Sequence, residues 1–290
     1  VLTGKILGKA RLVGGGQLAQ AGAMGFQVVS MLVAQQYMDD IKKMFESLQD
    51  SVGAIKDMLE ASVKAEIVGT LNHLKKIQSL MASGEMRVEA AGLHLHYIQD
   101  VIAKTSIWQE RIFIDVTHAI DKVSKVESNE WFGTFDTYEK IATQINAARA
   151  PIERWGILVE LCSLLNFHSE ILGGIEKGYV GASPDFERMA RLASDMLSAT
   201  NAKTESLIDG HFLNTQATLD QRRKSLMEDA SRAETVNLEA ETLFVSRRDK
   251  TTLLRGGMNR EQRFIIDLDQ DGNYIDTYVL SPVVADVRHS

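Results

Sequence analysis

No charged residue occurs between Arg11 and Asp39, and the apolar stretch that fills this gap runs in phase into a heptad repeat. Met38, Ile41, Phe45, Leu48, Val52, Ile55 and Leu59 follow one another at alternating steps of three and four. That is the spacing of the a and d positions of a coiled coil, which line up on one side of a helix. Val63 and Ile67 then come at steps of four, a stutter that locally unwinds the supercoil, before Leu74, Ile77 and Met81 resume the seam. Ser83-Gly84 is a stop signal. A seam of this length must be buried, either against helices of the same chain or against a partner.

The segment ahead of the seam is harder to place. Gly14, Gly15 and Gly16 form a joint, and Gln17 to Ala34 is apolar with many small residues. Leu18, Ala19, Gly22, Ala23, Gly25, Phe26, Val29 and Leu32 are the candidate membrane or helix-interface positions, because small side chains let two helices approach closely. A bilayer-spanning helix needs about 20 apolar residues. Gln17, Gln20 and Gln27 make this one marginal. A helix apolar on all sides is buried either in a large core or in lipid. Three expectations follow for residues 17–36: permanent core, conditional membrane insertion, or a permanent span.

The remainder reads as further helices. Only 3 prolines occur in 290 residues, which suits long uninterrupted helices. With 7% aromatic and 44% hydrophobic residues, aliphatic seams are expected. A second helix is expected over about 86–127 and an aromatic corner at Glu130–Tyr138. A third helix runs to about Gly173, kinked or restarted near Pro151. Gly173 to Ser183 is a loop, after which Ser183 supplies an N-cap ahead of Pro184 and Asp185. A helix or helix pair broken near Gly210 follows to about Leu254, with Phe212, Leu219, Leu226, Ala233 and Ala240 repeating every seven residues. FIIDLD and YIDTYVL alternate with period two around Asp271-Gly272, the pattern of a β-hairpin. Residues 1–13 read as a short strand or hairpin that could join it. The expected fold is therefore mainly α: an elongated bundle of long antiparallel coiled-coil-like helices with a small terminal β-hairpin. Its parts are 1–16 (strand and glycine joint), 17–254 (bundle) and 255–290 (hairpin and tail).

Chemistry-bearing patterns are few. A net charge of −7 without a basic run disfavours a nucleic-acid binder, and Arg222, Arg223 and Lys224 read as a solvated helix face. The single cysteine, Cys162, excludes an internal disulfide and sits in an apolar context, as a small buried hydrophobe does. Asp267, Asp269 and Asp271 ahead of Gly272 open like a calcium loop, so calcium is a candidate ligand there. Position twelve of that loop would be Tyr278 rather than a bidentate Glu, and a tight hairpin turn wants the same Asp-Gly pair. Gly14-x-Gly16 and Ala19 imitate a dinucleotide fingerprint, yet Asp39 and Asp40 fall inside the heptad helix and no βαβ pattern follows. A phosphate loop at Gly4–Lys9 is one residue short. His94 and His96 point to different sides of a helix, while His96/Asp100 and Asp115/His118 have one-face spacing with no second pair to complete a metal site. No nucleophile–base arrangement is legible, and no enzyme is expected.

Long helices, one apolar Gly/Ala segment and a small β element together resemble the α-helical pore-forming proteins at the level of architecture. No motif matches that family residue by residue. The resemblance implies a non-enzymatic, membrane-active protein in which residues 17–36 insert conditionally and helix 38–82 self-associates. The alternative is a soluble coiled-coil scaffold or partner-binding protein with 17–36 as permanent core. Expected partners are a second copy or another protein on the heptad seams, and membrane lipid. Both a soluble, reducing compartment and a membrane-associated location fit. The sequence begins at Val1 rather than Met, which leaves room for a preceding piece with a targeting signal. If 17–36 is permanent core, Gly22→Leu overpacks it and costs about 1–3 kcal/mol in urea unfolding; unchanged stability contradicts the core assignment.

Overall fold

The computed structural model describes residues 41–53, 61–127, 134–173, 178–209, 214–258, 263–268 and 274–280, with backbone alone for 253–258 and the last two stretches. The chain is mainly helical, and its helices pack together. They are α1 (residues 41–53), α2 (Ala61–Ala82), α3 (Val88–Ser124), α4 (Phe135–Ala147), α5 (Arg149–Ile171), α6 (Phe186–Thr204) and α7 (Gln216–Met258).

α5 is the centre. Its buried residues include the unbroken runs Ile157–Val159 and Leu161–Leu165. Five consecutive residues exceed one 3.6-residue turn, so this helix is covered on every side. Four helices supply the cover. From α1, Ser47 Oγ donates to Glu160 Oε1 at 2.9 Å and the Phe45 ring meets His168 edge-on. Val63 and Ile67 of α2 face Ile157, Leu158 and Leu161 across an apolar cleft. α3 and α7 pack along the remaining sides.

One aromatic chain ties four helices together. Phe113 of α3, Trp155 of α5, Phe186 of α6 and Phe244 of α7 follow one another with ring centroids 5.5, 5.7 and 5.6 Å apart. Such pairs add to the area they bury when edge-on or offset. Trp155 is completely buried and donates its indole N–H to Asn237 Oδ1 at 2.9 Å. Asn237 Nδ2 in turn donates to the Phe186 carbonyl at 3.2 Å. Apart from these rings and Phe45, Trp108 and Phe167, the core is mainly aliphatic, as the composition predicts.

Helix ends follow local chemistry. α2 closes in a Schellman turn: Gly84 has φ +71°, its N–H bonds the Met81 carbonyl and the Glu85 N–H bonds that of Leu80. Pro151 does not kink a long helix. It is the third residue of α5, where an N–H has no intrahelical partner, so the helix restarts at Arg149. Asn166 grips the segment before α6, donating to the Ala182 carbonyl at 2.8 Å and accepting from the Ala182 N–H at 2.6 Å. A Cβ on Gly181 would stand 2.9 Å from Asn166 Oδ1, so only glycine permits that grip. The cap of α6 differs from expectation. Asp185, not Ser183, accepts from the Arg188 N–H at 2.9 Å, while Gln109 fixes the Asp185 N–H at 2.9 Å. The carboxylate thus takes the capping role and Pro184 precedes the helix.

α6 passes into a π turn, Glu205–Asp209, and α7 begins at Gln216, which resolves the expected helix pair. Leu219, Leu226, Ala233 and Ala240 are all buried, as their heptad spacing predicts. Phe212 and the N-terminal strand lie outside the described residues.

Asn237→Leu removes the acceptor for the Trp155 N–H and is expected to cost about 1–3 kcal/mol in urea unfolding, because a buried donor is left unsatisfied. A change under about 0.5 kcal/mol contradicts the role given to this pair.

Candidate functional site

Two histidines touch, and a third, packed against Phe45 of α1, lies within electrostatic reach of the pair. His73 lies on α2, His94 on α3 and His168 on α5. His94 Nδ1 and His73 Nε2 are 3.2 Å apart, and the Tyr97 ring lies over His73 with centroids 4.0 Å apart. The Tyr97 hydroxyl reaches Thr70 Oγ1 at 3.4 Å. One imidazole of the His73–His94 pair must present a lone pair to the other, so the contact suits neutral rings and not two cations.

His168 is the buried member, only 1% exposed. Its Nδ1 is 2.8 Å from the Leu164 carbonyl, which makes this nitrogen the donor. Nε2 is buried and has no hydrogen-bond partner among the described residues. Around the ring stand Phe45 of α1 and Phe167 of α5, with centroids at 6.0 and 5.4 Å. Burial pushes the imidazole down to about 4, the Leu164 bond acting weakly against it and the His73 charge with it. His73 and His94 are lowered too, first by burial and then by nearby positive charge, from His94 and Lys76 for His73 and from Lys76 for His94. The site is therefore neutral at pH 7 and has basic neighbours when it protonates.

The heptad residues divide by position. Ile41, Phe45, Leu48 and Val52 are buried within the chain's own bundle. Met38, Ile55 and Leu59, and all of Leu18, Ala19, Gly22, Ala23, Gly25, Phe26, Val29 and Leu32, lie outside the described residues. So do Asp269 and Asp271, and Asp267 is described by its backbone alone. The remaining histidine pairings turn elsewhere. The Tyr179 hydroxyl bonds His96 at 3.1 Å, and Asp115 pairs with Arg154 at 3.2 Å. Among the described residues no group of three His, Cys, Asp or Glu is placed to hold a metal, and no helix is long and apolar enough to cross a membrane.

Cavities show no assembled chemistry. A cleft of about 300 Å³ between α2, α3 and α5 is apolar, with the Asp115–Arg154 pair on its rim. A second, of about 200 Å³, lies between α5 and α7. Its serines are engaged: Ser163 Oγ donates to the Val159 carbonyl at 3.0 Å and Ser169 Oγ accepts from Gln99 at 3.5 Å. Cys162 is buried and its thiol is pushed up to about 12 by desolvation, so thiolate chemistry at neutral pH is closed to it in the folded chain.

The histidine site was not legible in the sequence, because its members stand 21 and 74 residues apart, at 73, 94 and 168. One signal was present: His168 follows an apolar run and falls one turn after Leu164. No family model, curated protein or solved structure matches this chain.

Proposed function

We propose that this chain is a non-enzymatic, membrane-active helical protein. Residues 17–36 leave the bundle and insert, and the heptad helix 38–82 drives self-association once freed. What supports this is α5, a helix buried around its whole circumference over Leu161–Leu165 and sheathed by α1, α2, α3 and α7. A bundle that wraps an apolar helix in amphipathic ones can trade its sheath for lipid, because the same surface suits either environment. α1 is the part of the sheath that leads out of the uncharged segment.

The finer architecture belongs to the same proposal. It is an elongated set of antiparallel coiled-coil-like helices closed by a β-hairpin. The backbone of Arg263–Leu268 runs antiparallel to Tyr274–Leu280, with Arg263 opposite Leu280, in support of the hairpin.

A soluble scaffold is the second reading, and one observation favours it. Ile41, Phe45, Leu48 and Val52 are already satisfied inside the chain, so self-association through this seam requires α1 to detach first.

Dye release from anionic vesicles at pH 7.5 and 5.0 tests the proposal. The intact protein is expected to release dye and to form oligomers on the vesicles. Leu32→Asp is expected to reduce release at least about 10-fold, since a carboxylate at the bilayer centre costs about 2.5–3.5 kcal/mol. Absence of both binding and release at every pH and lipid composition tried overturns it in favour of the scaffold.

A further inference from the structure

The remaining surfaces and cavities offer less than the histidine site. The apolar cleft beside Trp108 has nothing to indicate an occupant, and in the acidic hollow of Glu153, Glu160 and Glu239 the first is held by Arg149 and Arg232 and one oxygen of the second by Ser47, with nothing further to point to a ligand. The site under α1 differs, because it combines an orphan buried nitrogen, a contact between two rings of which at least one must be neutral, and the aromatic side chain by which α1 meets α5.

We propose that His168, with His73 and His94 beside it, is an acid-sensitive latch that holds α1 on the bundle. Protonation of this knot releases residues 41–53 and, with them, the apolar segment that leads into them.

The geometry fixes the direction. Nε2 of His168 is buried with no acceptor waiting for a proton among the described residues, and the ring itself packs against Phe45. A proton there creates a buried cation without a partner, and the cheapest relief is to admit water by moving the enclosure. α5 cannot move, since it is covered on all sides. α1 is held to α5 by the Phe45 edge contact, by Ser47 on Glu160 and by its buried seam.

The surrounding charges offer no compensation. From α1 the neighbour is Phe45, with Lys75 of α2 over its ring at 5.5 Å. From α2 and α3 come His73 and His94, with Lys76 bearing on both, and the Tyr97 hydroxyl, which is occupied with Thr70. On α5 itself, Glu160 is two turns back, with Oε1 taken by Ser47, Oε2 buried without a hydrogen-bond partner among the described residues and its charge acting on Arg247 of α7; Glu170 lines the cavity that also holds Arg248 of α7, and no described carboxylate bears on His168. Once both His73 and His94 protonate, neither ring has a lone pair for the other and two like charges face each other at this contact.

The sign follows from the depressed histidine. The open state binds its proton near 6.5 and the closed state near 4. The latch is therefore at full strength above about pH 6.5, weakens as pH falls through that value, and reaches its limit below about pH 4. The opening equilibrium rises about 30-fold at pH 5 and up to about 300-fold at the acid limit.

This proposal rests on the membrane-active reading for its purpose, but the opening is measured in solution without lipid. Hydrogen exchange by mass spectrometry on the intact chain at pH 7.5 and 5.0, corrected for intrinsic exchange, compares residues 41–53 with α6, which has no histidine. Protection of 41–53 is expected to fall about 30-fold relative to α6 at pH 5, and His168→Gln is expected to hold that ratio within about 3-fold. If His168→Gln does not fold, His168→Asn, which keeps a donor for the Leu164 carbonyl, takes its place. A parallel loss of protection in both helices, or a variant that keeps the full pH response, overturns the latch. Acid release of α1 without vesicle leakage leaves the latch standing and removes the membrane reading. Leakage that is independent of acid does the reverse.

Discussion

Trp155 is the residue on which the rest of the bundle leans. It sits on a helix with no solvent-facing side along its central turns, and through it α3, α5, α6 and α7 are tied by rings and by the Asn237 bond. Each outer helix can be amphipathic and ordinary because α5 absorbs their apolar faces at once. The arrangement also concentrates risk, since a helix buried on all sides over Leu161–Leu165 depends on every member of its sheath. α1 is tied to α5 by Ser47 on Glu160, and it carries an aromatic contact, Phe45 on His168, that a proton can spoil.

That asymmetry connects fold to function. A bundle whose core is uniformly apolar has no reason to respond to mild acid, whereas one with a buried imidazole between two phenyl rings must respond. The direction follows from the chemistry of His168 alone: a buried base with one nitrogen used and one orphaned is stable only when neutral. His73 and His94 sharpen the response, because their contact at 3.2 Å works for neutral rings and fails for two cations.

Much of the helical architecture was legible before any coordinates. The heptad positions Ile41, Phe45, Leu48 and Val52 are buried, as are Leu219, Leu226, Ala233 and Ala240, because a seven-residue repeat leaves a helix only one way to hide its apolar side. Gly84 marked its helix end correctly because a left-handed residue there favours glycine. The centrality of α5 was not legible. Its apolar residues show no periodicity, and periodicity is the signal that sequence reading uses. The cap at Asp185 was misassigned to Ser183, since both side chains can cap and only the tertiary bond from Gln109 separates them. The histidine knot was missed for a similar reason: three helices bring it together, and no local pattern encodes which helix faces which.

The central claim is that at neutral pH, with α1 held in place, α5 stays enclosed until the whole bundle unfolds. Cys162, the chain's one cysteine, lies on α5 and is buried, so it reports on this directly. Its rate of disulfide exchange at pH 7.5 across a urea series gives the free energy of whatever opening exposes it. The account predicts that this free energy and its urea dependence equal those of global unfolding measured by circular dichroism. An opening several kcal/mol cheaper and insensitive to urea would mean that α5 is reached by local motion, and the account would be contradicted.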